Sequence, residues 1–259
     1  LSLLAELTAG SVEDAQRRRA DLPIADLERL AAGRAPALDA LAALAPIDEV
    51  RIIAEVKRAS PSRGALATIS DPAALARDYE RGGASAISVL TEERRFGGSL
   101  DDLRAVRAAV GIPVLRKDFI ATSYQVFEAR AAGADIVLLI VAALEQPLLS
   151  QLHDLVADLG MTALVEAHSA DEVSRAADIG ATLIGVNARD LSTFELDRDL
   201  FGSLSARIPS GAIRVAESAV TSEADVAHYR AAGADVVLVG EALVTGGDPV
   251  STLRRFREV

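Results

Sequence analysis

The chain has 259 residues, half of them hydrophobic and only 3% aromatic, so its core must be built from Ala, Val, Leu and Ile. It contains no cysteine, which excludes disulfides, thiolate metal sites and thiol nucleophiles. A net charge of −11, from 38 acidic and 27 basic residues, argues against a general nucleic-acid surface and suits a soluble cytoplasmic protein.

The first 48 residues read as two helices, over 2–19 and 24–44, with Pro23 and Pro46 as punctuation. The cluster Arg17-Arg18-Arg19 follows the apolar part of the first helix, the wrong order for a signal peptide. Periodicity leaves two roles open for this extension: a plug for one end of the fold that follows, or a cover over its active site.

Short runs rich in Val, Ile and Leu then recur: VRIIAEVK (50–57), SAISVLTE (85–92), IPVLRKDF (112–119), DIVLLIV (135–141), TALVEAH (162–168), TLIGVNAR (182–189), AIRVAESA (212–219) and DVVLVGEAL (235–243). The longest apolar run, DIVLLIVAAL (135–144), is too short to span a bilayer and reads as a buried strand. Stretches with helical periodicity lie between the runs, as in 71–83, 99–111 and 221–233; they open on the caps Asp71, Ser99 and Thr221 and end at Gly. Pro249 marks the first turn of a final helix.

The repeat is also written in the residues. RAAGAD opens both 130–140 and 230–240, and related Gly-Ala pairs occur at 83–84 and 180–181, so these pairs precede the second, fourth, sixth and eighth runs. Eight near-continuous apolar strands alternating with helices predict a closed (β/α)8 barrel, a TIM barrel, carrying an N-terminal helical extension. The repeat and the count of eight disfavour an open doubly wound sheet. The expected organisation is a single domain over 1–259, with the extension at 1–48 and the barrel at 49–259.

In such a barrel, chemistry sits at the C-terminal ends of the strands. Those ends carry Glu55 and Lys57, Lys117, Glu166, Asn187 and Arg189, and Glu217 and Ser218. Lys57 and Lys117 are the only lysines beside 25 arginines, and Asn187 is the only asparagine. Arg stays protonated, whereas burial and neighbours tune Lys, and the position of both lysines argues against codon bias as the reason for keeping them. Carboxylates packed with ammoniums shift each other's pKa and suit proton transfer at neutral pH; a structural salt-bridge network is the competing reading. One histidine, His168, approaches this rim, and beside a single Glu it reads as an ordinary polar strand end rather than a metal ligand. The loop SPSRG (60–64), together with the turns beginning at Ala219 and Gly240, suggests a site for a phosphorylated small molecule.

At these residues the sequence resembles indole-3-glycerol phosphate synthase, a barrel family of the tryptophan pathway. The resemblance runs from the extension through AEVKRASPSRG, SVLTEERRFGGSLDDL, PVLRKDFI, LVEAH, GVNARDL and VAES to VLVGEALV. It implies conversion of 1-(2-carboxyphenylamino)-1-deoxyribulose 5-phosphate to indole-3-glycerol phosphate, with loss of carbon dioxide and water. It further implies that Lys117 protonates the substrate carbonyl during ring closure, that Glu166 does acid–base work beside it, and that Glu55 and Lys57 serve the dehydration. Which lysine is the acid in which step stays open. Asn187, Arg189, Glu217, Ser218 and Phe119 would contact the substrate body, and Ser60, Lys57, Ala219, Gly240 and Glu241 the phosphate. No cofactor and no metal are expected, nor any nucleic-acid or membrane partner. The expected protein is cytoplasmic, a monomer or weak homo-oligomer acting on a phosphorylated anthranilate-derived substrate.

A sister barrel, phosphoribosylanthranilate isomerase, relies on a Cys base, which this chain lacks; the histidine-pathway barrels use a pair of Asp residues instead. A Schiff-base aldolase could also use either lysine. Two departures from the family pattern stand out. Ala219 replaces a Gly after Glu217-Ser218, and a positive φ there would strain Ala and weaken phosphate binding. Leu38 replaces a common Phe, which would thin an apolar cover over the substrate. Ala219 is also the support for an alternative, a synthase-like barrel that has lost catalysis and survives as a binding or scaffold protein.

Overall fold

A computed structural model describes residues 2–61, 63–190 and 195–259. Ser62 of the SPSRG loop and Leu191 of GVNARDL lie outside the described residues. The strands are β1 (Arg51–Val56), β2 (Ala59–Ser60), β3 (Gly64–Ala65), β4 (Ala86–Leu90), β5 (Val114–Lys117), β6 (Ile136–Ile140), β7 (Thr162–Ala167), β8 (Leu183–Asn187), β9 (Ile213–Glu217) and β10 (Val236–Val239). The helices are α1 (Leu3–Asp21), α2 (Ile24–Ala32), α3 (Ala40–Leu44), α4 (Pro72–Gly82), α5 (Leu100–Ala109), α6 (Ser123–Ala132), α7 (Gln146–Asp158), α8 (Ala170–Asp178), α9 (Leu200–Ser205), α10 (Glu223–Ala231), α11 (Glu241–Thr245) and α12 (Pro249–Arg257).

Eight of the strands close in the order β1-β10-β9-β8-β7-β6-β5-β4, all parallel, with β1 pairing both β10 and β4. The fold is the TIM barrel that the eight apolar runs predict. The other two strands form a small antiparallel hairpin in the first loop, pairing Ser60 with Gly64.

Alternation along the strands divides the core in two. Ile52, Ala54 and Val56 of β1, with Ile87, Val89, Val114, Val137 and Leu139, pack outward against the helices. Ile53, Leu115, Leu138, Leu164, Val215 and Leu238 fill the barrel interior. Two residues further along four of these strands, the same inward face becomes ionisable: Ile53 leads to Glu55, Leu115 to Lys117, Leu164 to Glu166 and Val215 to Glu217. The packed lower layers thereby hold the upper layer of charges in place.

The repeated RAAGAD performs one task twice. Gly133 and Gly233 take φ of 96° and 93°, a left-handed turn that suits Gly and releases the chain from helix into strand. Asp135 then accepts from the Val114 amide at 2.8 Å, and Asp235 from the Arg214 amide at 2.9 Å, so each carboxylate caps the start of the preceding strand. Arg130 donates to the Ala35 carbonyl, and Arg230 to the carbonyls of Asp48 and Val259.

The extension occupies both ends of the barrel. Leu7 of α1 joins the interior cluster beside Phe119, and Ser11 Oγ donates to Asp118 at 2.9 Å, just past the end of β5. Arg94, in the loop after β4, donates to Asp14 at 2.7 and 2.9 Å. At the opposite end Ala40 and Leu44 of α3 are fully buried in that interior cluster. Cover and plug are therefore separate helices.

Four expectations need correction. The helix predicted over 24–44 is two helices, because Gly33 ends α2 and Pro36 cannot continue it; Asp39 starts α3 afresh, accepting from the Ala42 amide at 2.9 Å. Leu38 does not cover the catalytic end: its amide donates at 2.8 Å to Asp135, which precedes β6 at the barrel's N-terminal end. The α10 cap is Ser222 rather than Thr221, since Asp225 lies three residues after Ser222 and completes a reciprocal capping box. The run 235–243 is strand only to Val239, after which Gly240 caps α11. Asp71 and Ser99 cap α4 and α5 as expected, and Pro249 opens α12. No helix among the described residues is long and apolar enough to cross a membrane.

Candidate active site

All the residues singled out at the strand ends reach one cavity of about 190 Å³ at the C-terminal mouth of the barrel. Glu55, Lys57, Lys117, Phe119, Glu166, Asn187, Arg189, Glu217 and Ser218 line it, as do Ser60, Ala219, Gly240 and Glu241. Leu7, Phe96 and Leu196 add apolar wall, and Arg63 and Arg198 add positive charge.

Lys117 sits at the centre of the charges, its Nζ 2.8 Å from Glu217 Oε2 and 3.5 Å from Glu166 Oε2. Lys57 Nζ lies 2.6 Å from Glu55 Oε1. Asn187 Oδ1 accepts from Ser218 Oγ at 2.7 Å and from the Arg189 amide at 3.0 Å, which joins the ends of β8 and β9. Two glycines make the arrangement possible. A Cβ on Gly185 would lie 2.1 Å from Glu217 Oε1, and one on Gly240 would lie 2.6 Å from Glu55 Oε1. Side chains at either position would displace a carboxylate from the cluster.

Burial and charge split the carboxylates. Burial pushes the Glu217 carboxyl up to about 7; Lys117 opposes that shift and Glu166 adds to it. Burial acts on Glu166 in the same direction, but Lys117 and His168 outweigh it and hold Glu166 below the usual carboxylate range. Burial works to lower Lys117, yet Glu217, Glu166 and Glu55 outweigh it and keep the ammonium protonated. The cluster thus offers one ionised carboxylate, one carboxyl able to hold a proton near neutrality, and an ammonium between them.

Arg63 lies 3.2 Å from Glu241 at the cavity edge. Ser218 and Ala219 have φ of 69° and 58°, the only non-glycine residues with positive φ among those described. The positive φ on which the reading of Ala219 depends is therefore present. Among the described residues no group of three or more His, Asp or Glu is arranged to hold a metal ion.

Two features of this site escape a reading of the sequence. His168 reads there as an ordinary polar strand end, although it lies two residues beyond Glu166 and so shares its face of the chain. Gly185 carries no signal, because the need for an absent side chain arises from a carboxylate on the neighbouring strand.

A closed parallel barrel with acid–base groups gathered at its C-terminal mouth defines a TIM-barrel enzyme. The sequence model of the family described as indole-3-glycerol phosphate synthase matches residues 4–256. Curated relatives bearing that name include one from Leifsonia xyli subsp. xyli, 74% identical over all of this chain and 99% of its own length. Others come from Beutenbergia cavernae, at 57% over 96% of this chain and 92% of its own, and Mycolicibacterium vanbaalenii, at 59% over 97% and 92%. The chain belongs to the indole-3-glycerol phosphate synthase family, carboxy-lyases of tryptophan biosynthesis. Two solved structures share the fold alone. A 3-hexulose-6-phosphate synthase has a TM-score of 0.64 at 18% identity, covering 81% of this chain and 99% of its own. A thiamine phosphate pyrophosphorylase from Pyrococcus furiosus has a TM-score of 0.59 at 14% identity, covering 81% and 94%.

Proposed function

We propose that the chain closes the indole ring of 1-(2-carboxyphenylamino)-1-deoxyribulose 5-phosphate by acid–base catalysis, releasing carbon dioxide and water. The observation that carries this reading is Lys117 held between Glu217 and Glu166 on the floor of the cavity.

In the first step the aryl carbon bearing the carboxylate attacks the ribulose carbonyl, and the oxygen gains a proton from Lys117. A fixed ammonium at that oxygen neutralises charge as it develops, which is where a positioned donor contributes most. Loss of carbon dioxide returns the bonding electrons to the ring. In the second step the new hydroxyl leaves as water after protonation from the Lys57–Glu55 pair, driven by the nitrogen lone pair, and Glu166 takes a proton from the methylene beside the nitrogen. The sum is one carbon dioxide and one water lost per product, and the arylamine supplies the electron push without a cofactor.

Asn187, Arg189, Glu217 and Ser218 would hold the hydroxyls and the carboxylate of the anthranilate ring, with Phe119 against the ring itself. Ser60, Lys57 and the backbone at Ala219, Gly240 and Glu241 would receive the phosphate. The extension over 1–48 and the barrel over 49–259 act as one unit in this reading, in the cytoplasm, as a monomer or weak homo-oligomer.

The test exploits the lack of tryptophan in the chain. Indole emission from product rises against a dark background when the wild type is given substrate. Lys117→Ala should lower kcat by about 10²–10⁴-fold, the range for losing a general acid. Wild-type protein that binds the substrate without producing emission would mean that the pocket is kept and the reaction lost.

A further inference from the structure

We propose that His168 is a positioning residue for Glu166: clamped between two carboxylates, its ring fixes Glu166 as an ionised acceptor facing Lys117. The proposal rests on the role given to Glu166 above and adds a residue to which the fold and the comparisons give no task.

The geometry is a chain of alternating charge. His168 Nε2 lies 3.5 Å from Glu166 Oε1, and Nδ1 lies 3.5 Å from Glu172 Oε2. Lys117 approaches the other oxygen of Glu166, so the carboxylate has one cation on each side. The His168 contact is made at the oxygen, Oε1, that accepts no hydrogen bond among the described residues. Glu172 is itself anchored: Oε2 accepts from the His168 amide at 2.8 Å and Oε1 from Ser169 Oγ at 3.2 Å. The turn from β7 into α8, with Ser169 as its cap, therefore holds both partners of the imidazole.

The alternative for His168 is an idle polar residue at a strand end, and its surroundings argue against that. The side chain is largely buried, with Glu166 on its own strand, Glu172 on α8, and Glu217 and Lys117 reaching the cluster from β9 and β5. Burial alone would lower its pKa, but the carboxylates of Glu172 and Glu166, each 3.5 Å from a ring nitrogen, raise it above the ordinary histidine value. A protonated ring next to Glu166 disfavours protonation of that carboxylate, even though burial favours it. Removing the ring charge shifts the balance the other way, so the pH below which Glu166 fails as a base must rise.

Two measurements test this. With only three histidines, at 153, 168 and 228, the imidazole signals of the protein are few enough to follow one by one by NMR. The His168 signal should titrate above about 6.5, the unperturbed value, and move down in Glu166→Gln and in Glu172→Gln. The second measurement is the pH profile of kcat/KM for His168→Asn, which keeps an N–H donor and removes the charge. Its acid limb should move up by about one pH unit, the low end of the shift expected from one opposite charge at this range. That movement, with kcat affected more than KM, is not what a merely structural residue would produce. A His168 signal that ignores Glu166→Gln, or an acid limb in His168→Asn that coincides with the wild type, overturns the proposal. If the NMR shifts appear but Glu166→Gln retains full turnover, the contact stands and the catalytic role of Glu166 is what fails.

Discussion

Ala219 shows how one side chain can set a cost at this site. Its φ of 58° places a Cβ in the left-handed region, directly after Ser218 at 69°. That conformation costs an L-residue roughly 1–2 kcal/mol, part of which Ala recovers by restricting the unfolded chain. Ala219→Gly should therefore stabilise the protein by about 0.5–1 kcal/mol, read as a higher urea midpoint. It should also lower KM by freeing the backbone N–H that we assign to phosphate; a variant with unchanged KM would refute that assignment. The charges of the site are largely legible in the sequence, because Lys57, Lys117 and Asn187 are rare letters placed at strand ends. His168 and Gly185 are not. Each acquires meaning only through Glu172 and Glu217, residues whose proximity depends on a helix or a neighbouring strand folding back.

Among the elements, the strands are legible in the sequence and the extension is not. Period-two alternation marks Ile53, Glu55 and Lys57 as one face, and the same rule holds for Leu115 and Lys117. A helix carries no such address: periodicity shows that α1 has a buried face without showing what it buries against. The resolution is that Leu7 of α1 closes the cavity while Leu44 of α3 seals the far end. The two should respond differently to truncation. Leu44→Ala, at a fully buried position, is expected to cost about 2–5 kcal/mol in unfolding experiments with KM unchanged in the protein that remains folded. Leu7→Ala is expected to raise KM, because it opens the wall of the cavity. Equal effects of both on KM would contradict the division between cover and plug. The gap between α2 and α3 is readable in principle from Gly33 and Pro36, but the apolar letters on either side mask it.

At the scale of the whole molecule, an acidic protein is proposed to take an anionic substrate. The chain carries a net charge of −11, whereas the cavity lining is balanced, with Lys57, Arg63, Lys117, Arg189 and Arg198 matched by Glu55, Asp118, Glu166, Glu217 and Glu241. A lining whose charges cancel carries none of the molecule's negative excess, so the cations within it can receive an anion locally. The barrel makes this possible by stacking apolar layers beneath the charged one, so that Glu55, Lys117, Glu166 and Glu217 are buried from below and open to ligand from above.

The central claim is that Lys117 serves ring closure and the Lys57–Glu55 pair serves dehydration. Substrate labelled in its carboxyl group separates the two, since carbon dioxide reports the first step and indole emission the second. At saturating substrate, Lys57→Ala should release labelled carbon dioxide ahead of indole, and Lys117→Ala should release both about 10²–10⁴-fold more slowly than the wild type. A Lys117→Ala protein that still frees carbon dioxide at the wild-type rate would contradict the account.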